Sequence, residues 1–251
     1  MATRVCSRIS TIGSLRPREQ HDDQHRRFHG RGRWADFALV SRSVGTDRQA
    51  LLYRRHPVEA RLDKTGFYPA GDGRIEVSVT PCHRLERLRL LERGEHRSTK
   101  AAVLVANLPE AVAAKEVEYL SRDLEVDASS IEVIDIKGSP GPGNVILVRV
   151  ESDSHTEVFT GFGQKGVPAS RVVGELANRV KGYLKNAAPV GVHLADQLIV
   201  PAAMAGKGSF RTVGVTAHTS TNVNVVMRFL DVSIDIQREE RGNVLVGVAA
   251  R

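Results

Sequence analysis

Apolar and polar residues follow a regular period only after about Lys64. Arg74-Ile75-Glu76-Val77-Ser78-Val79 alternates with period two, the mark of a half-buried strand, and Gly66 to Gly73 before it is a turn-rich loop. Leu85 to Leu91 and Ala101 to Ala106 are further strand candidates. Pro109 fits the first position of a helix, where its missing N–H costs nothing, and Val112, Val117 and Leu120 give that helix an apolar side. Ile131 to Ile136 predicts a strand and Gly138 to Gly143 a loop. Asn144 to Val150 and Glu157 to Phe162 predict two more strands, and Ala169 to Leu184 a second helix. Two helices among strands at hairpin spacing make a compact α+β unit from about 85 to 188.

The last block opens with a helix from His193 through Met204, its apolar stripe being Leu194, Leu198, Ala202 and Ala205. Pro201 lies inside it, so the Gln197 carbonyl loses its usual partner and a bend is expected. Ser209 to Thr216 predicts a strand that delivers the chain to His218. Val223, Val226, Met227 and Leu230 then recur at i, i+3, i+4 and i+7, predicting another amphipathic helix. Val232 to Ile236 and Val244 to Val248 read as the closing strands.

Residues 1 to 56 show no such period and predict no core of their own. Twelve arginines and no lysine fall in the first 60 residues, giving a net +6 of the chain's +7. The remainder is almost neutral, so the basicity is poor evidence for a nucleic-acid face. Three readings stay open for this leader: misframed coding sequence, a transit peptide, or a disordered basic arm touching RNA phosphates. No apolar run reaches the length of about 18 residues that a membrane span needs. Cys6 and Cys82 match neither a disulfide framework nor a metal-ligand spacing, which favours a soluble protein in the cytoplasm.

The candidate chemistry gathers in the last block. His218 stands between a strand and a helix whose first turn offers Thr219, Ser220, Thr221 and Asn222 as caps. A helix N-terminus has free N–H groups and a partial positive charge, so an imidazole there is placed to attack a phosphorus whose oxygens rest on those donors. The plainer alternative is a residue that merely precedes a cap. His193, Asp196 and Gln197 fall at i, i+3 and i+4, one polar face opposite the apolar stripe, able to hold a base or ribose or to be simply solvated. Gly161-Phe162-Gly163-Gln164-Lys165-Gly166 fits G-x-G-x-x-G, but Lys185-Asn186 stand where a dinucleotide site wants an acid. His83, His96 and His155 lack partner spacing and read as surface residues.

His193-Leu194-Ala195-Asp196-Gln197, followed 21 positions later by His218 within Thr-Ala-His-Thr-Ser-Thr-Asn, is similar to the signature of the RNA 3'-terminal phosphate cyclases. Gly66 to Gly73 resembles that family's GFYPAGGG-like segment, with Asp72 where a glycine is usual. Gly141-Pro142-Gly143-Asn144 and Ala205-Gly206-Lys207-Gly208 fit as well. The resemblance covers about 64 to 251. The family's glycine-rich GEGGGQ-like opening and the arginines that grip the RNA 3'-phosphate have no counterpart in residues 1 to 56.

The resemblance implies an α+β (α/β sandwich) fold of repeated four-strand, two-helix units with a smaller α+β insert. Residues 57–84 would end the second repeat, 85–188 form the insert and 189–251 form the third repeat, with 1–56 as the leader. It further implies an ATP-dependent ligase that converts RNA 3'-phosphate ends to 2',3'-cyclic phosphates through a histidine-AMP intermediate on His218. His193, Leu194, Ala195, Asp196 and Gln197 would bind the ATP, with a divalent metal, Mg²⁺ or Mn²⁺, beside the triphosphate. The alternatives are a non-catalytic cyclase-like RNA-processing factor, against which His218 argues, and an inactive truncated cyclase. Without the N-terminal half, cyclisation is expected to be weak and an apolar face to be left uncovered.

Overall fold

The computed structural model describes residues 58–79, 85–239 and 242–251, with backbone alone for 58–61 and 75–79. The readings made for the leader, for Cys82 and for His83 lie outside the described residues. Strands β1 (Val58–Lys64) and β2 (Arg74–Val79) form an antiparallel hairpin across the Gly66 to Gly73 loop. Strand β3 (Leu88–Leu90) follows, three residues where the sequence suggests seven. Leu88 and Leu90 are buried while Arg89 points to solvent, so alternation persists over this short pairing.

Next come β4 (His96–Ala106), helix α1 (Glu110–Leu124), β5 (Glu132–Asp135), β6 (Gly143–Ser152), β7 (Thr156–Phe162) and helix α2 (Ala169–Lys185). The four strands make one sheet in the order β5-β4-β6-β7, with β4 and β5 parallel and the other neighbours antiparallel. Its two faces separate by period two. Val103, Val105, Ile146, Val148 and Val150 pack under α1 and α2, while Leu104, Val145 and Leu147 face Leu62 and Phe67 from the β1-β2 hairpin. Both faces are covered, which is why Val145 to Val148 reads as an unbroken apolar run. Helix α2 buries Val172, Val173, Leu176, Ala177 and Val180, the valines and the leucine each stabilising by roughly 1.5–3 kcal/mol.

The chain then returns to the strand it left. Helix α3 (Val192–Met204), β8 (Lys207–Thr212), helix α4 (Ala217–Phe229), β9 (Val232–Arg238) and β10 (Val244–Ala250) complete a second sheet of order β3-β8-β10-β9. Strand β3 pairs parallel to β8, so residues 91–206 are an excursion between two neighbouring strands. Both helices lie on one face, where Leu194, Leu198, Ile199, Phe210, Val223, Val226 and Val246 form the core. The opposite face carries Arg89, Arg211, Asp235 and Gln237. The described fold is α+β: two mixed four-stranded sheets, four helices and a two-stranded hairpin. None of its helices is long and apolar enough to cross a membrane.

Candidate active site

Register places two helix starts at one end of the second sheet. Thr212, the last residue of β8, pairs with Val244 at the start of β10 and lies beside Val190 in a parallel bridge. Helix α3 begins just after Val190 and α4 just after Thr216, so both N-termini open at the end where β8 finishes. The two helices run in the same direction and pack along each other.

The strand expected to run from Ser209 to Thr216 stops at Thr212, and Thr216 is the N-cap of α4. Thr216 Oγ1 accepts from Thr219 N–H at 3.2 Å, and Thr219 Oγ1 accepts from Thr216 N–H at 3.4 Å. This reciprocal box has threonine where Glu or Gln is usual, and a cap of this kind stabilises a helix by about 1 kcal/mol. His218 therefore lies inside the first turn of the helix, not before the cap, and is exposed. The box occupies the N–H groups of Thr216 and Thr219 and leaves those of Ala217 and His218 at the helix mouth.

One turn below His218, Asn222 Nδ2 donates to Asp196 Oδ1 of α3 at 2.5 Å. Asp196 is 6% exposed, which sets it apart from His193 and Gln197, the exposed residues that share its helical spacing. It turns toward α4, because the carboxylate finds its partner there. His193 stands one turn above Asp196, as His218 stands one turn above Asn222. The Asp196–Asn222 bond thus sets the two histidines at the same height and end of the helix pair. His193 and Gln197 are exposed, whereas Leu194 and Ala195 sit in the core and anchor the helix.

The Gly66 to Gly73 loop is fixed elsewhere. The ring of Phe67 occupies the space a Cβ on Gly143 would fill, 1.9 Å away, and Ala70 lies against Gly141. Two segments that share in the family resemblance therefore touch each other at the first sheet. Asp72 adopts φ 60°, a left-handed conformation that glycine reaches without cost and Asp tolerates better than most residues, and its carboxylate pairs with Lys64. That pairing holds the Asp72 carboxyl below its ordinary value.

His96 is exposed, as the sequence suggests. His155 is not: it is 6% exposed, in the β6-β7 turn against the second unit. Its polar partners, Ser154 and Glu157, are adjacent in sequence and carry no motif spacing. An open cleft of about 840 Å³ at the same sheet end is lined in part by Arg93, Arg211, Arg238, Glu239 and Asn243. Arg211 is spent on Glu239 at 2.6 and 3.1 Å, and on the Leu91 carbonyl. Arg93 is spent on the Tyr183 and Leu184 carbonyls. The described residues hold no group of three or more His, Cys, Asp or Glu that fits a metal ion.

An exposed imidazole at a capped helix mouth, beside a second helix start in an α+β protein, suits nucleophilic chemistry on an anionic group. A family model described as RNA 3'-terminal phosphate cyclase matches residues 48–236, and the chain belongs to that family. Proteins named RNA 3'-terminal phosphate cyclase resemble it closely. That of Koribacter versatilis is 42% identical over 179 residues, 71% of this chain and 50% of the relative. That of Salmonella paratyphi C is 40% identical over 190 residues, 76% and 54% respectively. That of Ralstonia nicotianae is 40% identical over 223 residues, 83% and 64%. The chain thus spans between 50% and 64% of the length of these relatives.

Proposed function

We propose that this chain carries the nucleotide-accepting part of an ATP-dependent RNA 3'-phosphate cyclase, with His218 as the nucleophile. The observation that carries the reading is the joint geometry of α3 and α4. An exposed His218 lies in a capped first turn, level with His193 and braced by Asp196–Asn222.

A ring nitrogen of His218 attacks the α-phosphorus of ATP, the bond to the bridging oxygen breaks, and pyrophosphate departs. The free N–H groups at the α4 mouth are donors for the α-phosphate oxygens as charge builds there. His193 and Gln197 flank the nucleotide, while Leu194, Ala195 and Asp196 hold the helix that presents them. AMP then passes from His218 to a 3'-phosphate of RNA, and the neighbouring 2'-hydroxyl attacks that phosphorus. A 2',3'-cyclic phosphate forms and AMP leaves. A cytoplasmic setting accords with this role. Among the described residues no group of three or more His, Cys, Asp or Glu could hold the expected Mg²⁺ or Mn²⁺.

Incubation with α-labelled ATP is expected to label the protein through an acid-labile, base-stable bond, as a phosphoramidate requires. His218→Asn is expected to abolish the label. Labelling that survives in this variant overturns the assignment. A wild-type chain that binds 3'-phosphorylated RNA without ever taking label favours a non-catalytic RNA-processing role.

A further inference from the structure

We infer that Glu157, on a strand of the first sheet, is a positioning residue for the candidate site, holding the N-terminus of α3 from across the junction of the two units. The inference rests on the reading that α3 presents His193 and Gln197 to a nucleotide.

Glu157 is 2% exposed, yet its carboxylate reaches out of β7 to the second unit. Its Oε2 accepts from the N–H of Gly191 at 3.0 Å, and Gly191 is the N-cap of α3. Glycine has no side chain with which to cap, so the cap comes from another part of the chain. A carboxylate at that end is also favoured by the helix dipole. A Cβ at Gly191 would fall 2.8 Å from Glu157 Oε1 and 3.0 Å from its Cδ, so a larger residue there must displace the buried carboxylate.

The carboxylate is itself held in place. The Ser154 hydroxyl donates to the Arg93 carbonyl at 2.8 Å, which uses its only proton. Its oxygen therefore accepts from His155 Nδ1–H at 2.9 Å, which fixes the imidazole. Nε2 then lies 3.6 Å from Glu157 Oε2, so the fixed ring packs against the carboxylate without hydrogen-bonding to it. A chain of contacts thus runs from Arg93, after β3, through Ser154, His155 and Glu157 to Gly191. His193 follows two residues later. Moving the carboxylate moves the first turn of α3, while the lower turns stay pinned by Leu198, Ile199 and Ala202 in the core.

The test compares Glu157→Ala, Glu157→Gln and Gly191→Ala in the full chain, with two readouts. One is the concentration of α-labelled ATP that half-saturates labelling of His218. The other is amide exchange over Val192 to Asp196. Losing a hydrogen bond to a charged group should raise half-saturating ATP and speed that exchange about tenfold in Glu157→Ala and Gly191→Ala. Glu157→Gln keeps an acceptor and should stay within about threefold of wild type on both readouts. Exchange in α4 should be unchanged. Unchanged exchange over Val192 to Asp196 overturns the inference whatever the labelling does. Faster exchange with unchanged ATP dependence overturns it too, since the clamp would then not serve the site. If the wild-type chain takes no label, the nucleotide reading fails separately and exchange alone decides the clamp. If Glu157→Ala does not fold, Gly191→Ala and Glu157→Gln give the answer.

Discussion

The two four-stranded units use the same materials and finish differently. Around β4–β7 each sheet face is covered, by α1 and α2 on one side and the β1-β2 hairpin on the other. Among the described residues the exposed large apolar side chains there are Tyr68, at the tip of the hairpin, and Val133 on the edge strand β5. In the second unit α3 and α4 bury one face on the sheet and leave Val200, Met204, Val225 and Phe229 outside, Met204 at 64% and Phe229 at 82% exposure. Each pair is spaced i, i+4 and so forms a stripe along its helix. Helix α2 is amphipathic and ends its layer, whereas helices that are apolar on two sides are built to be covered twice. The unit that carries His218 is the one whose packing is unfinished among the described residues.

The largest effect should come from cutting into that unit's core. Phe210 is fully buried beneath α3, and Phe210→Ala is expected to cost about 3–5 kcal/mol. Amide exchange during denaturation should show the loss in β8–β10, α3 and α4 with β4–β7 unaffected. Equal loss in both sheets would break the comparison and make the molecule one cooperative block.

A smaller effect of opposite sign is expected in the other unit. Glu116 on α1 is 2% exposed, and burial raises its carboxyl above the ordinary 4.5, opposed by the bond from Asn144 Nδ2. The folded state therefore holds this proton to higher pH than the unfolded chain does. Stability from this group is greatest below the ordinary value and falls as pH rises toward the raised one. Glu116→Gln should remove that slope and stabilise the β4–β7 unit at neutral pH by on the order of 1 kcal/mol. Unfolding midpoints measured from acid to neutral pH check it, and a variant less stable than wild type at neutral pH would contradict it.

The smallest effect on stability should come from Met204→Lys with Phe229→Lys. The exposed sites predict a change under about 0.5 kcal/mol in unfolding. Sedimentation should nonetheless show less self-association than in wild type. A large loss of stability would mean that these side chains already belong to a core.

Legibility in the sequence followed the kind of constraint involved. The strand Arg74–Val79 was readable from its alternation in sequence, and helix α2 and the helices of the last block because each buries a periodic face. Strand β3 was over-extended, since its pairing depends on β8, far away in sequence. The start of α4 was set too late, because a Thr216–Thr219 box lacks the acidic residue that usually announces one. Helical spacing put Asp196 on one face with His193 and Gln197 but gave no sign of its partner, because Asn222 belongs to another helix. His155 and Glu157 were invisible for the same reason: a junction between two units has no period.

The long excursion between β3 and β8 also bears on how the molecule folds. Leu88 pairs with Gly208, so this edge of the second sheet forms only when residues 120 apart in sequence meet. Closing so long a flexible loop early is entropically costly, and non-local strand pairing slows folding. The β4–β7 sheet is assembled from neighbours in sequence, and with α2 in place it brings Arg93, just after β3, against the Tyr183 and Leu184 carbonyls. Early folding of this sheet is expected to shorten the loop that β3 must close to reach β8.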